Sequence, residues 1–187
     1  MKRSPTKEKT DYEIVLQILE NVDDYKYLIE RYEKKLFIYI QRILYVNKED
    51  TEDILQEVFI KAYRNLNSYD PKYNFSSWIY RITHNEAISF LRANKKRQLD
   101  ISNDMENNIF DTIASDIDIE KEAIKDWDSK KVHEVLAKLD EKYREVLVLK
   151  YIEEKDYNEI SDILQVPSGT VGSLINRAKD KFKKLVK

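Results

Sequence analysis

The chain has 187 residues, enough for one ordinary domain or two small ones, and its 33 Lys and Arg nearly balance 35 Asp and Glu for a net charge of −2. It has no cysteine, two glycines and three prolines. That excludes disulfides, thiolate nucleophiles and Cys-ligated zinc, and it leaves few interruptions to helix. No apolar run reaches the length of a membrane span, and the opening MKRSPTKEKTDYE lacks the apolar core of a signal peptide, so the expectation is a cytoplasmic protein without membrane insertion.

Apolar residues recur at helical spacing almost throughout. The pattern predicts a helix over 11–20 and a longer one over about 23–46, with Leu28, Ile29, Tyr32, Leu36, Ile40, Ile43 and Leu44 on one face. KEDTEDILQEVFIKAYRNL starts a third, with Thr51 or Asp50 as its cap and Ile54, Val58, Phe59, Ala62 and Leu66 as its stripe. NSYDPKYN reads as a loop. FSSWIYRITHNEAISFLRANKKR then gives a fourth helix, with Ser76 or Ser77 near its start. From Gln98 the periodicity fades into an acidic, Asn- and Asp-rich segment whose isoleucines and Phe110 suggest docking on a partner. Helix returns near Glu120, and DEKYREVLVLKYIEE follows with Asp140 as its cap. Two shorter helices, about 157–165 and 169–185, close the chain.

The fold class is therefore all-α: a tail at 1–10, a helical domain at 11–97, an acidic linker at 98–119 and a second helical domain at 120–187. Charge follows this division. Arg92, Lys95, Lys96 and Arg97 form one basic cluster, and the segment from Arg177 to Lys187 forms another.

Both glycines lie in SDILQVPSGTVGSLINRAKDK. A short amphipathic helix with Ile160, Ile163 and Leu164 inward is stopped by Pro167, and a second helix opens with Ser168 as a natural N-cap. A small Ser161 suits close crossing of the two. This predicts a helix-turn-helix whose second helix can enter a DNA major groove, although a Pro-Ser turn also suits an ordinary helical hairpin. Gly172 costs roughly 1 kcal/mol in a helix interior and either permits close approach of a partner or is simply tolerated.

Together these stretches resemble extracytoplasmic-function sigma factors, small bacterial transcription initiation factors, from about residue 23 to the end. DTEDILQEVFIKAYRNL resembles the helix that grips the clamp of RNA polymerase. FSSWIYRITHNEAISFLR resembles the helix and loop that open the minus-ten promoter element. LDEKYREVLVLKYIEEKDYNEISDIL and VPSGTVGSLINRAKDKFKK resemble the domain that reads the minus-thirty-five element.

The resemblance implies a polymerase-binding set of Asp53, Gln56, Glu57, Phe59 and Lys61. The polar members form a mostly acidic face that also fits an ordinary solvated surface or, less well, a carboxylate metal site. For minus-ten DNA it implies Tyr73, Phe75, Trp78, Arg81, Asn85, Arg92, Lys95, Lys96 and Arg97, with Asn85 and the loop Ser68–Asn74 capturing a flipped base. Aromatic rings stack on unpaired bases and cations follow phosphates, but Phe75 and Trp78 fit a core equally well. For minus-thirty-five DNA it implies Ser168, Thr170, Gly172, Ser173, Asn176, Arg177 and Lys179. Gly172 stands where the family often has arginine, and Asn176 where it often has a bulkier residue, so these groove contacts transfer only in part.

His84 and His133 have no neighbours at ligand spacing and read as structural. The sequence carries no P-loop, no nucleophile with a base and no metal set, so no enzyme and no cofactor are expected. The implied partners are the polymerase β′ clamp and β flap, promoter DNA and an anti-sigma factor. The free protein is expected to be monomeric and, within holoenzyme, associated with the bacterial nucleoid. The acidic linker reads either as a segment threading toward the polymerase cleft or as a plain tether. The alternatives are a stand-alone helix-turn-helix regulator with an N-terminal interaction domain and, more remotely, a helical enzyme using the Asp/Glu face.

Overall fold

The computed structural model describes residues 9–101 and 127–186, with side chains at 9–94 and 132–186; most of the expected linker lies outside the described residues. Helix α1 (Asp11–Glu20) leads through a 3₁₀ turn (Val22–Asp24) to α2 (Tyr25–Leu44) and α3 (Lys48–Arg64). A second 3₁₀ turn (Leu66–Ser68) precedes the long α4 (Phe75–Ile101). After the undescribed stretch come α5 (Trp127–Ala137), α6 (Glu141–Leu147), a π-helical turn (Val148–Ile152), α7 (Tyr157–Leu164) and α8 (Ser168–Val186). Among the described residues there is no strand.

The expected stripes face inward. Leu28, Leu36 and Ile40 of α2, Ile54, Val58 and Ala62 of α3, and Ile79 and Ala87 of α4 build the first unit. Val146, Leu149, Ile160, Ile163, Val171 and Ile175 build the second. Fully burying an aliphatic side chain of this size contributes about 1.5–3 kcal/mol, which is why helices with ordinary propensity hold these positions.

Helix ends differ from expectation in ways local hydrogen bonding explains. The cap of α3 is Asn47, whose side chain accepts from the Asp50 amide at 2.7 Å. Thr51 is instead buried, with Oγ1 donating to the Asn47 carbonyl. Asn74, rather than either serine, receives the Ser76 amide at the start of α4. Ser168 is the first residue inside α8, because the Pro167 carbonyl already accepts the Thr170 and Val171 amides. Asp140 occupies the N-cap position of α6 without a capping bond, and its carboxylate pairs with Lys181 at 2.5 Å. The hydroxyl of Ser161 donates to the Val166 carbonyl at 2.6 Å and so fastens the turn between α7 and α8. Helix α4 continues to Ile101, past the expected end at Arg97, with the good helix formers Gln98 and Leu99 carrying it on.

Neither glycine has a positive φ; among the described residues the left-handed positions are Tyr45, Glu154 and Gln165. Tyr45 ends α2 at φ 54° and is held there by two contacts. Its hydroxyl donates to the His133 carbonyl at 2.9 Å, and the Arg144 guanidinium lies 4.8 Å from its ring centroid.

That arginine joins the two units. Its Nε donates to the Leu136 carbonyl (3.1 Å), Nη1 to Ile43 (2.7 Å), and Nη2 to Ala137 (3.3 Å) and Leu139 (2.9 Å). These are carbonyls at or just beyond the ends of α2 and α5, groups a helix leaves without internal partners and that carry its negative pole. Next to it, Glu145 accepts from the Tyr39 hydroxyl of α2 and meets Nδ1 of His84 on α4, both at 2.6 Å. His84, expected to be merely structural, thus belongs to the seam between the units. Burial first, and then the adjacent carboxylate, push the Tyr39 hydroxyl well above its ordinary pKa, so it remains a donor.

The π turn extends this seam. The Glu153 amide reaches back to the Val148 carbonyl at 3.0 Å, which inserts one extra residue into the helical path. In a regular α-helix Glu153 would point roughly 80° away from Glu145; one extra residue brings it to within about 20°. Glu153 accordingly accepts from Tyr80 of α4 at 2.6 Å and pairs with Arg42 of α2 at 3.4 Å.

Replacing Arg144 with alanine orphans these carbonyls, so unfolding in urea is expected to show a loss of about 3 kcal/mol or more. Arg144→Lys should recover only part of it, since an ammonium cannot reach carbonyls on several sides.

Candidate polymerase and nucleic-acid interfaces

Helix α3 keeps its apolar stripe inward and leaves Asp53, Gln56 and Glu57 on one exposed face. Lys61, placed by sequence in the same set, pairs across to Glu86 of α4 at 2.6 Å. Phe59 is buried beside Tyr25, whose hydroxyl donates to the Phe59 carbonyl at 2.6 Å. Beside Gln56 an open groove of about 600 Å³ is lined by Val22, Tyr25, Ile29, Phe59, Ile60 and Tyr63. The acidic face therefore borders an apolar one, which the charge pattern by itself did not indicate.

On α4, Trp78, Arg81, Asn85 and Arg92 follow at spacings of three, four and seven and so share a side of the helix. Asn85 and Arg92 are exposed, and Arg81 is partly covered. Phe75 and Trp78 are buried and pack with Tyr69 and Tyr32, their ring centroids 5.1 to 5.6 Å apart. Among the aromatic candidates only Tyr73 offers its ring to solvent, at 58% exposure. The loop before α4 is closed by the Tyr69 hydroxyl donating to the Tyr73 carbonyl at 2.8 Å. Lys95, Lys96 and Arg97 continue α4, and their side chains lie outside the described residues.

In the second unit α7 and α8 cross as a helix-turn-helix, packed through Ile160, Ile163, Val171 and Ile175. Ser168, Thr170, Ser173, Asn176, Arg177 and Lys179 are exposed along α8. Lys179 lies 5.3 Å from the Tyr151 ring centroid, and its bond to the tyrosine raises its pKa. Sequence reasoning missed the carboxylates on the inner side of this unit. Glu159 of α7 accepts from the Asn74 side chain at 3.2 Å and from Ser77 at 3.5 Å. Lys155 donates to Ser76 at 2.6 Å. Asp162 lines one cleft with Tyr73, Ser77, Trp78 and Arg81. The signal available was the pair Glu159 and Asp162, three apart on the short helix α7 and so on one side of it.

Family models agree with this layout. The model described as sigma-70 region 2 matches residues 28–97, and that described as sigma-70 region 4 matches residues 129–182. The chain is 33% identical over 166 residues to the ECF RNA polymerase sigma factor SigW of Bacillus subtilis, covering 87% of this chain and 88% of that one.

The chain belongs to the extracytoplasmic-function sigma factors.

It is likewise 33% identical over 157 residues to the ECF RNA polymerase sigma-E factor of Haemophilus influenzae, with 82% of each chain covered. Solved structures share its fold. A Bartonella quintana complex of the sigma factor RpoE with the anti-sigma factor NepR superposes with a TM-score of 0.72 at 20% identity, over 87% of this chain and 96% of that one. CnrH in complex with the cytosolic domain of CnrY gives 0.68 at 22% identity, over 95% and 97%. As a sigma factor the protein is an RNA polymerase-binding transcription initiation factor and not an enzyme. Among the described residues no helix is long and apolar enough to cross a membrane, and no three His, Cys, Asp or Glu gather as metal ligands.

Gly172 sits in α8 with ordinary helical geometry, and a Cβ there would meet only the edge of the Tyr157 ring, at 3.9 Å. The fold does not require this glycine. Gly172→Ala is therefore expected to raise stability by up to about 1 kcal/mol, read as a higher melting temperature; a lower one would contradict this packing.

Proposed function

We propose that the sigma factor divides its work among three surfaces. The face of Asp53, Gln56 and Glu57 on α3, with its bordering groove, binds the β′ clamp of core polymerase. The side of α4 that carries Arg81, Asn85 and Arg92, with Tyr73 and the loop Ser68–Asn74, holds the unpaired minus-ten strand. The outer face of α8, from Thr170 to Lys179, reads the minus-thirty-five duplex while the second unit rests on the β flap. Residues 11–97 and 120–187 are the two working domains. The observation that carries this reading is that α3, α4 and α8 each turn apolar residues inward and keep a separate polar face exposed.

Burial of Phe75 and Trp78 narrows the stacking role to Tyr73, with Trp78 forming the floor of the site. Asn85 can present both donor and acceptor to a base edge. A solved chain of the same fold is bound to an anti-sigma factor, which supports control by such a protein here, and we infer a monomer when free and association with the nucleoid in holoenzyme.

Two experiments test the assignment. The double variant Gln56→Ala/Glu57→Lys is expected to keep its helical circular dichroism but to lose co-elution with core polymerase in gel filtration. Retained co-elution would remove α3 from the interface. Asn85→Ala should leave core binding intact and lower open-complex formation about tenfold, in line with a few kcal/mol for unstacking a base and about 1–3 kcal/mol for holding it. Permanganate reactivity of unpaired thymines reads this directly, and a pre-melted template should restore transcription.

A further inference from the structure

We propose that Tyr157 of α7 is a specificity-determining residue of the duplex interface: its ring edge stands in for the side chain that Gly172 lacks and selects a thymine by its methyl group. The inference rests on the assignment of α8 to the minus-thirty-five duplex.

Gly172 shares a side of α8 with Asn176 and Lys179, four and seven residues on, and both of these are exposed. At Gly172 that row of side chains is interrupted. The backbone does not demand the gap, since φ there is not positive. Packing does not demand it either, because a Cβ would meet Cε1 of Tyr157 at 3.9 Å, an ordinary contact distance. The gap is therefore bounded by the edge of a tyrosine ring. Tyr157 is the first residue of α7 and is 45% exposed, so the ring lies outside the core.

The surroundings of the ring separate two kinds of contact. Lys150 lies 5.2 Å from its centroid, and Lys179, bonded to Tyr151, also feels the Tyr157 hydroxyl. Ammonium groups suit phosphates, which position a protein on the duplex but carry no direct sequence information. The ring edge at the gap is different. It presents C–H groups, with neither a donor nor a strong acceptor for the polar atoms of a base. In the major groove the apolar feature of the base-pair edges is the methyl group of thymine. Glycine at 172 removes the side chain that would otherwise stand before that base and lets the α8 backbone come close. A methyl seated between Gly172 and the ring loses water, which at the worth of one buried carbon is about fourfold in affinity.

The test uses holoenzyme assembled with core polymerase and a promoter library randomised through the minus-thirty-five element. Wild type is expected to select thymine at one position where replacing thymidine by deoxyuridine, which removes only the methyl, weakens binding about fourfold. Tyr157→Ala should abolish that discrimination and leave selection elsewhere in the element unchanged. Tyr157→Phe keeps the ring edge without the hydroxyl and should retain it. Gly172→Arg fills the gap and is expected to move the preference at the same position to guanine, whose O6 and N7 accept from a guanidinium. Helical circular dichroism should match wild type throughout, since Tyr157 is exposed and the capping box of Asp156 and Glu159 is untouched.

Equal binding of thymine and uracil by wild type at every position would overturn the proposal. So would an unchanged thymine preference in Tyr157→Ala or in Gly172→Arg. A loss shared by Tyr157→Ala and Tyr157→Phe and uniform across sequences would make the residue a phosphate contact through its hydroxyl, and would overturn it as well. Arg177→Ala tests the parent assignment separately. If it relaxes selection in the element while Tyr157→Ala does not, the α8 assignment stands and this proposal alone fails. If Arg177→Ala leaves selection unchanged, the α8 assignment fails and the proposal fails with it.

Discussion

Arg144 and Glu145 are neighbours in sequence, both buried, and each reaches into the other half of the protein. Burying a guanidinium is unfavourable unless its donors are satisfied, and burying the end of a helix is unfavourable unless its carbonyls are. Here each problem solves the other. Arg144 completes the ends of α2 and α5 while its own N–H groups find acceptors. Glu145 then has a fixed position from which to receive Tyr39 and His84. Once these two residues are set, α6 has one orientation against α2 and α4, and the π turn, α7 and α8 follow from it.

The seam between the units adds a set of polar contacts to an apolar core that runs through both. Inside each unit the packing is aliphatic and aromatic. Between them the specific contacts are hydroxyls, carboxylates and cations: Tyr80 and Arg42 with Glu153, Asn74 and Ser77 with Glu159, Lys155 with Ser76. Contacts of this type fix a geometry strongly for little net stability, because water can replace each of them. Interfaces between domains of one chain are commonly of this polar, separable kind.

A shortage of glycine shapes the details. Two helix ends that reverse the chain in the left-handed region do so at Tyr45 and Gln165 rather than at glycine. Tyr45 is the better supported, because its ring and hydroxyl are both bound. The two glycines instead stand in α8 in regular conformation, with open space around Gly169 and only a ring edge near Gly172. Their presence is thus not a backbone requirement of the fold.

The sequence by itself determined the helical class, the apolar stripes of α2 and α3, the acidic face of α3 and the helix-turn-helix, and the resemblance carried by those stretches led to the right family. These features are local: a stripe such as Ile54, Val58 and Ala62 is visible because helical periodicity lies within a few residues of chain. Tertiary structure alone decided that Phe75 and Trp78 are core while Tyr73, just before α4, is exposed, because Tyr69 and Tyr32 come from elsewhere in the chain to cover the first two. It also decided that Lys61 pairs with Glu86 and that His84 has a carboxylate partner. Most of all, it decided where Glu145, Glu153 and Glu159 point. Their partners lie 61 to 111 residues away along the chain. One of the three reaches its partners only through an extra residue in a π turn. No periodicity records such a contact, because it depends on how two helical units dock and not on the order of residues within either one.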